Sequence, residues 1–205
     1  MYKSTLAATA LLVSTAIAGC SSDDDDDAEL GGPPSDEARA SALDGEWTGE
    51  CLPNPTTGFH DFREYAVDGE AYEVGILVFG DDLCENQILQ FDLEGVLSVD
   101  EDAPADGGVR GEVDMTVEFV QGTPTNAEGA DFLNATAFCD RADYAVGASV
   151  EFESCSTLGF DSVPYMHYDS YLVEGDTLYV GPELADTPEE RAPEVDFTDP
   201  YTRQR

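Results

Sequence analysis

Lysine is all but missing from this chain: Lys3 is the only one in 205 residues. Lysine and arginine together number 8 against 45 aspartates and glutamates, for a formal charge of −37. A surface this acidic repels nucleic acid, and no basic stripe offsets it. It repels anionic lipid headgroups as well, so charge supplies no hold on a membrane. Histidine is nearly as scarce, with 2 residues, His60 and His167. There is no C-x-x-C pair, and with so little histidine the chain lacks the donor set of a zinc site. It also lacks G-x-S-x-G, H-E-x-x-H and a phosphate-binding loop. No apolar run reaches the ~20 residues that a spanning helix needs.

What is present begins at the N-terminus. Lys3 supplies a positive start, and residues 6–18 are apolar apart from Thr9, Ser14 and Thr15. This is the pattern of an export signal over residues 1–19, removed on maturation. The run ends in Ile17-Ala18-Gly19-Cys20, which resembles the bacterial lipobox. The resemblance implies cleavage just before Cys20 and acylation of that cysteine. Several acyl chains, at ~0.8 kcal/mol per buried CH₂, then anchor the chain stably where a single one would not. Ser21-Ser22 follow in place of an aspartate, which by the same resemblance implies sorting to the outer membrane of a Gram-negative envelope. The membrane, reached through the lipid on Cys20, is thus the expected partner.

Residues 20–42 read as a tether. Asp23 to Asp27 is a run of five acids, followed by Gly31-Gly32-Pro33-Pro34. Like charges extend a chain and proline stiffens it. The remaining cysteines, Cys51, Cys84, Cys139 and Cys155, are even in number, and in an oxidising compartment they imply two disulfides. Four cysteines allow three pairings; Cys51–Cys84 and Cys139–Cys155 are favoured because each closes a local loop.

From Leu43 onward the pattern is that of short strands. Asp44 to Cys51 reads as the first, with Trp47, the only tryptophan, on one face. Phe62–Val67 and Ala71–Phe79 flank Asp68-Gly69, a strong hairpin signal. Gln87–Leu93 alternates, Glu94-Gly95 reads as a turn, and Val96–Val99 resumes. Val109–Val120 alternates throughout, with Val113, Met115, Val117 and Phe119 on one face and Glu112, Asp114 and Glu118 on the other. That predicts a strand buried on one side, broken by Gln121 to Thr125. Ala127–Phe138 suits a short helix, and Ala145–Phe152 a strand. Met166–Val173 and Thr177–Val180 flank Glu174-Gly175-Asp176 as a last hairpin. Beyond Gly181, four prolines argue against regular structure, so residues 182–205 are expected to pack over the domain as an irregular tail. Short strands with tight turns point to an all-β fold. The expected architecture is an antiparallel up-and-down barrel of eight or nine strands with one short helix, spanning residues 43–181.

Gly45-Glu46-Trp47 resembles the G-x-W start of lipocalin-type barrels, and Tyr171–Val180 resembles the last hairpin of small lipocalin-like domains. The tail, Glu190-Arg191-Ala192-Pro193 with Asp199-Pro200-Tyr201-Thr202-Arg203-Gln204, is similar to the ends of uncharacterised Gram-negative lipoproteins with such a domain. The resemblance implies an arginine packed on Trp47, with Arg110 and Arg141 as candidates.

Two uses of such a barrel are weighed. In one, a small apolar or amphipathic ligand enters the barrel mouth, and the inward aromatics hold it: Trp47, Tyr72, Phe91, Phe119 and Tyr168. In the other, the barrel is filled by its own side chains and the protein is an envelope interaction or structural protein. An enzyme is not expected, nor a cofactor or a metal. The nearest thing to a catalytic pair is His167 with Asp169, which share a strand face at i, i+2.

Overall fold

The computed structural model describes residues 41–101, 107–182 and 184–204; the expected signal, Cys20 and most of the expected tether lie outside them. In chain order the strands are β1 (Gly45–Thr48), β2 (Leu52–Pro53), β3 (His60–Asp68), β4 (Ala71–Phe79), β5 (Gln87–Glu101) and β6 (Val109–Pro124). A helix, α1 (Ala127–Thr136), follows, then β7 (Val150–Glu151), β8 (Tyr165–Glu174), β9 (Thr177–Val180) and β10 (Tyr201–Arg203). Every pairing is antiparallel, in the order β1-β10-β9-β8-β6-β5-β4-β3, and β1 also pairs with β3, so the sheet closes on itself. Eight strands form the barrel, with β2 and β7 as short additions beside β3 and β6. Closure removes the exposed edges that an open sheet has to protect.

The hairpin signals place the turns. Gly69-Glu70 joins β3 to β4 and Gly175-Asp176 joins β8 to β9, with Gly69 and Gly175 at φ of 62° and 63°, a region only glycine enters freely. These turns lie at one end, here called the floor. The longer connections lie at the mouth. Both disulfides are there: Cys51–Cys84 joins the loop after β1 to the loop after β4, and Cys139–Cys155 joins the turn after α1 to the approach to β8.

Four expectations need correction. Glu94-Gly95 does not turn; β5 runs through it unbroken. A Cβ on Gly95 would sit 1.9 Å from the carbonyl oxygen of Thr116, so glycine serves a close crossing of β5 and β6 instead. At that crossing Glu94 opposes Phe119 and Gly95 opposes Val117, leaving Glu118 as an extra, bulged residue. The bulge reverses the inward parity of β6. Val113, Met115 and Val117 face in before it, and Val120, Gly122 and Pro124 after it, so Phe119 lands on the outer face beside Glu94. β6 also does not end at Val120 but continues to Pro124, paired with Leu89–Asp92 of β5. Finally, of Ala145–Phe152 only Val150–Glu151 forms a strand, on Gln121–Gly122.

The tail is the largest departure. Residues beyond Gly181 include β10, which pairs with both β9 and β1 and closes the barrel. The four prolines precede this strand and leave it free to form. The rest of the tail covers the outer face of β8. Ala185 bridges Tyr168, the Ser170 hydroxyl donates to the carbonyl of Ala192 at 2.6 Å, and Arg191 pairs with Glu112 and Asp114.

At the floor Trp47 is fully buried. Its indole N–H donates to the Leu43 carbonyl at 2.7 Å, and the guanidinium of Arg203 lies 4.2 Å from its ring centroid. Arg203 also donates to the carbonyls of Asp44 and Ala42 at 2.5 and 2.9 Å. The arginine on Trp47 is therefore Arg203. Arg110 lies opposite Leu172 on the outer face, and Arg141 pairs with Asp143 near the mouth. Arg203 draws the last strand, the first strand and the segment before it into one plug.

Candidate ligand cavity

The barrel is not filled. Between the Trp47–Arg203 floor and the mouth lies a cavity of about 490 Å³. Its walls come from the inward positions of the long strands: Val74, Ile76 and Val78 of β4, Leu93 and Leu97 of β5, Val113 and Val117 of β6. Phe132 of α1 and Phe138 just after it form a partial lid. The helix is held by Asn126, whose side chain accepts from the Gly129 N–H at its start. At Gly129 it lies so close to β5 that a Cβ would meet the Ile88 carbonyl oxygen at 2.0 Å. Exposed Leu158 and Leu184 stand at the rim, so the cavity opens to solvent at the mouth.

Of the five aromatics expected to face a ligand, Tyr72 and Phe91 line this cavity. Trp47 faces inward but belongs to the floor plug. Phe119 is turned out by the bulge. Tyr168 is also outward, under the tail, with Arg191 5.7 Å from its ring centroid. Both faces of β8 are covered, one by the core and one by residues 181–200, so its alternation does not reveal which face is inside. The inward set is Tyr165, His167, Asp169, Tyr171 and Val173.

Polar groups therefore enter an apolar chamber. Tyr72 is 4 % exposed, and its buried hydroxyl has no hydrogen-bond partner among the described residues. Burial, and then the neighbouring phenol of Tyr165, push its pKa well above the ordinary phenol value. Tyr165 is pushed up to about 12 by burial alone. Asp169 is also 4 % exposed, and burial raises its carboxyl to about 6, against the pull of two backbone N–H groups. Those donors are Ser170 at 2.7 Å and Gly181 at 3.0 Å, both on Oδ1. His167 lines the same wall, its pKa lowered by burial against the charge of Asp186, whose Oδ1 is 3.7 Å from Nδ1. The two side chains share a face as expected, but Asp169 is turned to the backbone and His167 towards the tail. Ser170 is on the opposite face.

Arg63 is the cationic side chain in the lining. Desolvation lowers its pKa, but the phenols of Tyr65 and Tyr201 and the carboxylate of Asp199 outweigh this and raise it. Sequence reasoning missed Arg63 and Tyr65. Their signal was available in the hairpin register, since Asp61, Arg63, Tyr65 and Val67 alternate opposite the inward Val78, Ile76, Val74 and Tyr72. Comparison with protein-family models and with curated proteins finds no match for the chain.

Proposed function

We propose that this chain is a bacterial envelope lipoprotein, anchored through Cys20, whose lipocalin-like barrel binds a small apolar or amphipathic molecule in its interior. The observation that carries this reading is the cavity. An eight-stranded barrel is just wide enough to be filled by its own side chains, so filling is the simplest packed state. Here about 490 Å³ is left open, within the ~300–1,000 Å³ typical of small-molecule sites. The walls are aliphatic and aromatic, and the polar groups are few and convergent, the arrangement that binds by apolar burial and orients by hydrogen bonds.

The remaining features agree with an exported, anchored carrier. The signal and lipobox give the address, the acidic tether holds the barrel away from the membrane, and two disulfides suit an oxidising compartment. The test is a native mass spectrum of the full chain carrying Cys20→Ser, purified from a bacterial periplasm, before and after solvent extraction. Extra mass that extraction removes is the expected result and sizes the ligand. A clean mass in both samples, with no uptake of added apolar compounds, rejects ligand binding.

A further inference from the structure

The carboxylate of Asp169 is built into the cavity wall with unusual care and has no positive partner. It stands on β8 beside the end of β9, where the chain leaves the hairpin at Gly181. Its Oδ1 takes the N–H groups of Ser170 and Gly181. Position 181 has to be glycine for this: a Cβ there would lie 2.2 Å from that oxygen. Among the described residues, Oδ2 accepts no hydrogen bond and no arginine or histidine lies within salt-bridge distance of either oxygen. The side chain is 4 % exposed and lines the cavity. A buried carboxylate is costly unless a cation or further donors meet it. The aromatic rings of Tyr65 and Tyr165 line the same chamber, and Tyr65 is close enough to feel the charge of Asp169. Rings of this kind attract a cation over their faces. Arg63, the arginine among the described lining residues, lies within reach of the charge of Asp199 and is not within salt-bridge distance of Asp169.

We infer that the ligand of this cavity is an amphipathic amine, its ammonium group bonded to Asp169 Oδ2 among the tyrosines and its apolar part against the Val, Ile and Leu walls. The inference rests on the reading of the cavity as a ligand site and names the class of ligand. The charge of −37 favours the same choice, because it draws cations to the mouth and repels anionic amphiphiles.

The test uses three probes of one chain length, octylammonium, octanol and octanoate, titrated near neutral pH into the full chain carrying Cys20→Ser. Octylammonium is expected to bind about tenfold or more tightly than octanol, the margin of a charge-assisted bond to a buried carboxylate. Octanoate is expected to be weakest. Asp169→Asn keeps the Oδ1 acceptor for Ser170 and Gly181. It should lose most of the preference for octylammonium over octanol. Equal affinity for octylammonium and octanol, tightest binding of octanoate, or a preference that survives in Asp169→Asn overturns the amine assignment while leaving the cavity reading intact. If none of the three binds, both fall. Should Asp169→Asn fail to fold, the wild-type ranking alone decides.

Discussion

Asp169→Asn is also expected to stabilise the barrel, and to do so only where Asp169 is ionised. Burial raises its carboxyl from 3.8 to about 6 in the folded protein. At ~1.36 kcal/mol per unit, the charged form costs the native state ~3 kcal/mol relative to the unfolded chain. The sign follows from proton binding. Between the two pKa values the native state holds this proton and the unfolded state has released it, so stability falls as pH rises from about 4 to about 6. Above that both states are ionised and the cost is constant; below about 4 both are protonated and it vanishes. Asparagine carries no such charge and keeps the acceptor on Oδ1. The difference in unfolding free energy, variant minus wild type, should therefore rise by ~3 kcal/mol across this window. Denaturant titrations of both proteins at stepped pH, with disulfides intact, measure it. Taking the difference removes groups that titrate alike in both proteins, such as Asp81 and Asp196, whose carboxyls are held low by hydrogen bonds and whose trend is opposite. A flat difference, or one that falls with pH, would refute the placement of a lone carboxylate in the apolar wall. Octylammonium should lower the step in the wild type, because an ammonium on Oδ2 stabilises the charge.

Arg203→Ala removes the cation over Trp47 and two bonds to the carbonyls of Asp44 and Ala42, and should cost about 2–4 kcal/mol in a denaturant titration; Arg203→Met, which keeps apolar contact, should recover only part of it. Replacing either disulfide pair by serine should cost ~3–4 kcal/mol on loop-closure entropy, with Cys51–Cys84, which closes the longer loop of 33 against 16 residues, at the upper end. Incorporation of labelled palmitate should be abolished by Cys20→Ser and unaffected by serine at Cys51 and Cys84 together; labelling that survives Cys20→Ser refutes the lipobox reading.

Architecture was legible wherever a local rule decides. Asp68-Gly69 and Gly175-Asp176 place two hairpins because only glycine enters those turn conformations cheaply. The alternation of Val109 to Val117 declares a one-faced strand, and loop closure favours the disulfide pairing that forms. What was not legible depends on contacts between distant segments. Gly95 reads as a turn until Thr116 is seen lying against it. Phe119 keeps its alternation on paper, yet one bulged residue, Glu118, turns it out of the barrel. Arg203 stands 156 positions from Trp47, in a tail whose prolines argue against a strand, and register alone brings them together. Tyr168 and Asp169 show the same limit within the site: a strand covered on both faces has no outer face in its sequence.

The open interior follows from how the inward positions are distributed. Trp47 closes the floor, Phe91, Phe132 and Phe138 stand under the mouth, and Tyr65, Tyr72, Tyr165 and Tyr171 lie along the wall between them. Phe91 itself is accommodated by Gly122, where a Cβ would come within 2.9 Å of its ring. Between the ends the walls are mostly Val, Ile and Leu, whose short side chains do not meet across an eight-stranded barrel. The floor is closed by both ends of the domain through Arg203, and the mouth loops are tied by two disulfides. The barrel therefore does not need its centre filled to hold its shape. The closed ends leave the middle open, and Asp169 there meets a cavity where a packed core would tolerate its charge poorly.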